Sequence, residues 1–185
     1  NLIDTKGSGG RIAVHQRTAT DWSGYTGTWE CYGGKSNQGA QGGAGTVFKK
    51  CANQVHGDLI VAGNGNATAG QCITPIATSV TDWDEPFDTV TVAGNAQLQL
   101  RSGVTLRVIE KIDARTGQLF CADGTAVFEF VGDADATFLG CKASQLYNFR
   151  CTVPGKRIYF GTTSSDVLTV PADGNLVLKG SEAGN

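Results

Sequence analysis

The sequence predicts an all-β chain wound as a right-handed parallel β-helix, a β-solenoid, and three observations carry that prediction. The first is the run Asp88–Ile112, DTVTVAGNAQLQLRSGVTLRVIEKI. Val90 and Val92, Leu98 and Leu100, and Leu106 and Val108 alternate with polar neighbours. That alternation sends one set of side chains inward and the other outward along a strand. The second is punctuation. Gly94-Asn95 and Ser102-Gly103 are turn dipeptides, and they cut the run into strands that start about eight residues apart, which suits one side each of a flattened tube. The third is cysteine spacing. Cys31 and Cys51, Cys51 and Cys72, and Cys121 and Cys141 are each separated by about one 20-residue coil, so that stacked strands ~4.8 Å apart would bring them within disulfide reach. A β-sandwich completed by a strand from a neighbouring subunit has a similar strand count and remains the alternative fold.

The chain of 185 residues is 40% hydrophobic and 17% charged, enough for a folded core, and is read as a single all-β domain. Residues 1–87 form its glycine-rich part and residues 88–185 its regular strand-repeat part. Met is absent and the chain begins at Asn1, so it is read as a mature product or a piece of something longer. No apolar run approaches the ~20 residues of a membrane helix. The net charge of −2 gives no electrostatic reason to expect nucleic acid as a partner.

In chain order, strands are expected at Arg11–His15, Thr28–Tyr32 and Thr46–Lys50, joined by glycine-rich segments. Gly33-Gly34-Lys35-Ser36 ends like a phosphate loop, but the earlier glycine that loop requires is Trp29, and GAQGGAG does not fit the dinucleotide pattern. Residues 51–87 are expected to hold one strand, Asp58–Ala62, and two loops. GNGNATAG carries a glycosylation sequon at Asn66, so an N-linked glycan is a candidate modification. TDWDEPFD gathers Asp82, Asp84, Glu85 and Asp88 around Trp83. Asp82, Asp84 and Glu85 are candidate calcium ligands or paired carboxylates, set against a plain solvated loop closed by Pro86. Further strands are expected at Leu119–Cys121, Val127–Val131, Thr137–Leu139, Leu146–Cys151, Arg157–Phe160, Val167–Val170 and Leu176–Leu178, with no helix.

Six cysteines without a CxxC pair read as three disulfides in an oxidising, extracellular setting. The spacing favours Cys31–Cys51 and Cys121–Cys141, leaving Cys72 with Cys151. Each bridge would contribute about 3 kcal/mol in the chain-entropy account.

GSGGRIAV (Gly7–Val14) and GGAGTVF (Gly42–Phe48), with YGGKS between them, resemble a motif of very large secreted glycine-rich β-helix repeat proteins of algal, protist and bacterial cell surfaces. The C-terminal piece, Leu146–Asn185, looks like another unit of that class. The likeness covers residues 7–50 and 88–185. It implies a parallel β-helix and roles as adhesins, cell-surface fibres or mastigoneme-like components, and it brings no catalytic residues.

The function expected is therefore structural: a secreted protomer that assembles head to tail with copies of itself. Gly184-Asn185 would lead into a further strand, and no amphipathic cap is evident, so bare strand edges are expected. The alternative is a carbohydrate-active or carbohydrate-binding β-helix touching surface polysaccharide. Its candidate acids are Asp82, Asp84, Glu85, Asp133 and Asp135, its histidines His15 and His56, and its sugar-stacking rings Trp22, Trp29 and Trp83. Packing is the competing reading for each Trp. The chain's Thr residues form no regular rank of the kind ice binding needs.

Overall fold

The computed structural model describes residues 7–34, 42–65, 72–76, 85–140, 148–151 and 157–160, and the backbone of 175–178. Asn66, Asp82, Trp83, Asp84, Cys141, Lys35-Ser36, Val167–Val170 and Gly184-Asn185 lie outside the described residues. The strands in order are β1 Arg11–His15, β2 Gly45–Lys50, β3 Asp58–Ala62, β4 Cys72–Ile76, β5 Phe87–Ala93, β6 Ala96–Leu100 and β7 Thr105–Asp113. They continue with β8 Gln118–Cys121, β9 Val127–Phe130, β10 Ala136–Leu139, β11 Asn148–Cys151, β12 Ile158–Phe160 and β13 Asn175–Leu178. No helix occurs among the described residues.

From β3 onward every strand pair is parallel. This excludes the antiparallel sandwich and makes the chain a β-solenoid of about three turns. The described strands line three walls. One wall stacks β4, β6 and β8. A second stacks the first half of β7 with β9, β11 and β13. The third stacks β3, β5, the second half of β7, β10 and β12. Partners across the coils sit 21 residues apart at Gln97 and Gln118, and 22 apart at Arg107 and Glu129. That matches the repeat expected from the sequence.

The alternation seen in the sequence becomes columns of like side chains. Leu106, Phe128 and Phe149 stack on one inner column, and all three are buried. Phe149 meets the rings of Phe130, Phe138 and Phe160 at centroid distances of 5.7, 5.3 and 5.4 Å. One cluster of buried side chains runs from Ala44 to Phe149. Corners fall where turn residues were expected: Gly94 and Asn95 both take positive φ, 62° and 60°. A right-angle step between walls needs that left-handed geometry, which Gly and Asn tolerate best.

The outward faces are laddered too. Glu129 lies between Arg107, at 3.1 Å, and Arg150, at 3.5 Å. Gln97 donates to Gln118 at 3.1 Å. At one corner Asp123 accepts hydrogen bonds from Ser102 and from the Thr125 hydroxyl and amide.

Two expectations fail. Thr28–Tyr32 is not a strand. This segment crosses the outer face of β1 and β2, and the Cys31 carbonyl lies so close that a methyl group on Gly45 or Gly9 would overlap it. The glycines of the GSGG and GGAG stretches thus admit a backbone laid on a backbone. Trp22, Tyr25 and Trp29 pack on one another there, with Tyr25 stacked on Trp29 at 4.4 Å. Conversely, β4 is a strand where none was expected. Its inward residues alternate, but Pro75 interrupts the pattern; proline is compatible with the sheet edge β4 occupies.

The amino-terminal strands also break the parallel rule. β2 pairs β3 antiparallel. The connection Cys51–Gly57 is far shorter than a coil and can only turn the chain back on itself. β1 then pairs β2 parallel after a 35-residue excursion, Arg11 against Thr46. β1 and β2 therefore run opposite to the coils that follow.

Candidate interaction site at the amino-terminal end

β1 ends the ten-stranded path, and no strand pairs its far edge among the described residues. Its ladder shows which groups face that edge. Gly10 accepts from Thr46 N, and Gln16 N donates to Lys50 O at 2.8 Å. Even-numbered residues therefore bond to β2, and the backbone groups of Arg11, Ala13 and His15 point outward. The side chains of these same three residues lie on the inner face with Thr46 and Phe48, and all three are exposed. His15 meets the Phe48 ring at 5.4 Å.

Below this overhang is an open apolar groove of about 510 Å³ between β1–β3 and β4. Its floor and walls include Ala13, Phe48, Leu59, Ile76 and Leu98, with Arg11 at its edge. It exists because β1, β2 and β3 extend their wall beyond β4, where the opposite wall stops. The edge of β4 differs from that of β1. Ile76 O accepts from Arg101 N on the β6 side, so Ile73 and Pro75 face away from the sheet. Pro75 has no N–H to offer, and Ile73 O abuts Gly43. Thr74 Oγ1 also donates to Ala44 O at 2.7 Å. One edge at this end is blunted and the other is open.

Residues 1–50 hold six Lys or Arg and three Asp or Glu, a net of +3; residues 51–185 hold nine and fourteen, a net of −5.

At the far end of the coil, the column Ala13–Phe48–Leu59–Val90–Ile112–Phe138–Phe160 passes through successive strands of one wall. Its middle members, Val90 and Ile112, are fully buried, whereas Phe160 is 44% exposed. Tyr159, beside it, is 50% exposed.

The remaining sequence candidates do not converge on one place. Glu85 pairs with His56, Oε2 to Nδ1 at 3.0 Å, and its side chain is otherwise solvent-facing. Asp135 accepts from Arg157 N and from the Tyr159 hydroxyl. No group of three or more His, Cys, Asp or Glu is placed to hold a metal ion among the described residues. Trp22 lies beneath the Lys49 ammonium, 5.7 Å from its ring centroid. No described helix is long and apolar enough to cross a membrane.

The five described cysteines, Cys31, Cys51, Cys72, Cys121 and Cys151, are buried, and no disulfide joins them. Geometry corrects two of the expected pairings. Cys31 sits at the start of β2 and Cys51 just beyond its end, about 20 Å of strand away. Cys72 lies three coils before Cys151 and on a different wall, about 14 Å along the stack alone. A disulfide spans about 4.4–6.8 Å between Cα atoms. Spacing misled because the 20-residue repeat holds only inside the regular coil, and Cys31 and Cys51 precede it. Burial pushes the thiols of Cys31, Cys51 and Cys72 above their ordinary range.

No protein-family model, curated protein or solved structure matches this chain.

Proposed function

We propose that the chain is a structural subunit of an extracellular fibre, joining end to end with copies of itself. The observation that carries this reading is the open β1 edge beside an apolar groove, at one end of a core column whose other end leaves Phe160 half-exposed. An open strand edge offers backbone donors and acceptors to another chain. Contact between two different ends of one molecule does not close on itself and grows as a filament. The regular coil contributes stiffness: its inner columns are filled and its outer ladders are satisfied within the chain. The extracellular setting rests on the Asn66 sequon.

Sedimentation velocity across a concentration series, with electron microscopy of the concentrated samples, tests the reading. Growing species and filaments of constant width are expected. Dispersed monomers at every concentration would end it.

A further inference from the structure

We infer that the amino-terminal groove receives Phe160 of a second copy, with β1 of one molecule laid antiparallel on β12 of the next and Ala13 opposite Phe160. This rests on the fibre reading and names the contact that builds the fibre.

Four observations converge on this pairing. The first is continuity. Among the described residues, Ala13 and Phe160 are the two terminal members of one column on one wall, so joining them extends a core that is already built. The second is direction. β12 runs parallel to β10 and to the coils before it, while β1 runs opposite to them. A copy advanced along the coil axis must therefore meet its neighbour antiparallel, a pairing whose hydrogen bonds run perpendicular to the strands.

The third is shape and chemistry. Ala13 is the smallest side chain of the column and is exposed over an apolar space of about 510 Å³, while Phe160 is large and 44% exposed. The groove floor offers Phe48, and the docking end offers an aromatic ring that already packs on Phe138 and Phe149. An aromatic anchor entering an apolar pocket is the usual centre of a protein contact. The fourth is parity. Setting Ala13 against Phe160 puts His15 against Ile158. It keeps both inward sets on the inner face and leaves Val14 and Tyr159 together on the outer one. A slip of one residue would turn every one of these side chains to the wrong side.

The β4 edge cannot take this part, because Pro75 and the Gly43–Ala44 backbone occupy it.

Two single variants at exposed positions test the contact. Ala13→Trp fills the groove, and Phe160→Ser removes the ring; circular dichroism and thermal melting verify that each folds. Each variant alone should stay monomeric at concentrations where the unaltered protein forms filaments. Because each keeps one intact end, an equimolar mixture should give a two-chain species and stop there. Filaments of unaltered protein together with undiminished assembly of Phe160→Ser would overturn the Phe160 contact while leaving the fibre reading in place. Dimers of Phe160→Ser alone, absent from Ala13→Trp, would replace it with a β1-to-β1 contact. An unaltered protein that never assembles would remove both.

Discussion

The regular coil from β5 to β11 and the strands β1–β3 ahead of it share one wall but solve the edge problem differently. In the coil, every described strand except β8 is paired on both sides by its neighbours, and inner residues stack on inner residues: Leu106 on Phe128 on Phe149. In the amino-terminal part the repeat lapses. A hairpin reverses the direction, a long excursion separates β1 from β2, and the wall projects past its opposite number. The coil stabilises the molecule, whereas the irregular end leaves an edge and a groove available for contact. An irregularity in a repeat fold is thus the place to look for its interactions, because regular stacking satisfies itself.

The contrast predicts an order of mutational effects. Phe149→Ala, in the fully buried aromatic column, should cost about 3–5 kcal/mol in urea unfolding. Phe48→Ala, on the partly open groove, should cost roughly half as much or less, since its ring already has solvent on one side. Equal costs would mean that the groove is packed as tightly as the coil.

Gly45→Ala should cost about 1–3 kcal/mol, as overpacking does. The damage should be local, because the added methyl displaces the Cys31 segment from the outer face. Altered tryptophan fluorescence from Trp22 and Trp29 should precede unfolding of the coil. A single cooperative transition seen equally by fluorescence and circular dichroism would contradict that separation.

Glu129→Gln should cost about 1–2 kcal/mol. It leaves Arg107 and Arg150 without their carboxylate, but both guanidinium groups are more than a third exposed, and water takes much of the loss.

The smallest effect concerns acid. Hydrogen bonds from Ser102 and Thr125 hold the Asp123 carboxyl below its ordinary range. At Asp113 burial acts upward, but the bonds from Arg115 and Lys111 prevail and lower it. For both, the unfolded chain takes up protons first. Their contribution is present above the unfolded value of about 3.9 and fades as pH falls through the lower folded values. Asp123→Asn should flatten the fall in melting temperature between about pH 4 and pH 2. An unchanged acid profile would mean that this corner bond does not persist in solution.

Most of the coil was legible in the sequence because its cause is local. Alternation at Val90–Val92, Leu98–Leu100 and Leu106–Val108 fixes which face turns inward, and Gly94-Asn95 fixes a corner. β3 and β1 match the expected spans residue for residue. One feature depends on contacts far along the chain and left no local mark: Thr28–Tyr32 has a strand's composition, yet the glycine bed formed by Gly9 and Gly45 draws it out of the sheet. The antiparallel turn into β3, by contrast, follows from the shortness of Cys51–Gly57, which is itself legible in the sequence. Bare strand edges were expected in general terms. That one is open at β1 and another is blunted by Pro75 could be read only once the ladder was known. The Cys31–Cys51 pairing failed because it applied the coil's repeat where no coil exists, and Cys72–Cys151, left over from it, fails on distance along the stack.

Residue-resolved amide exchange at β1 tests the central claim most directly. In dilute monomer the Ala13 amide, which points to the open edge, should exchange rapidly while its neighbour Val14, bonded toward β2, is protected. In assembled protein Ala13 should become protected as well. Protection of Ala13 already in the monomer, or its persistent rapid exchange within filaments, would contradict the account.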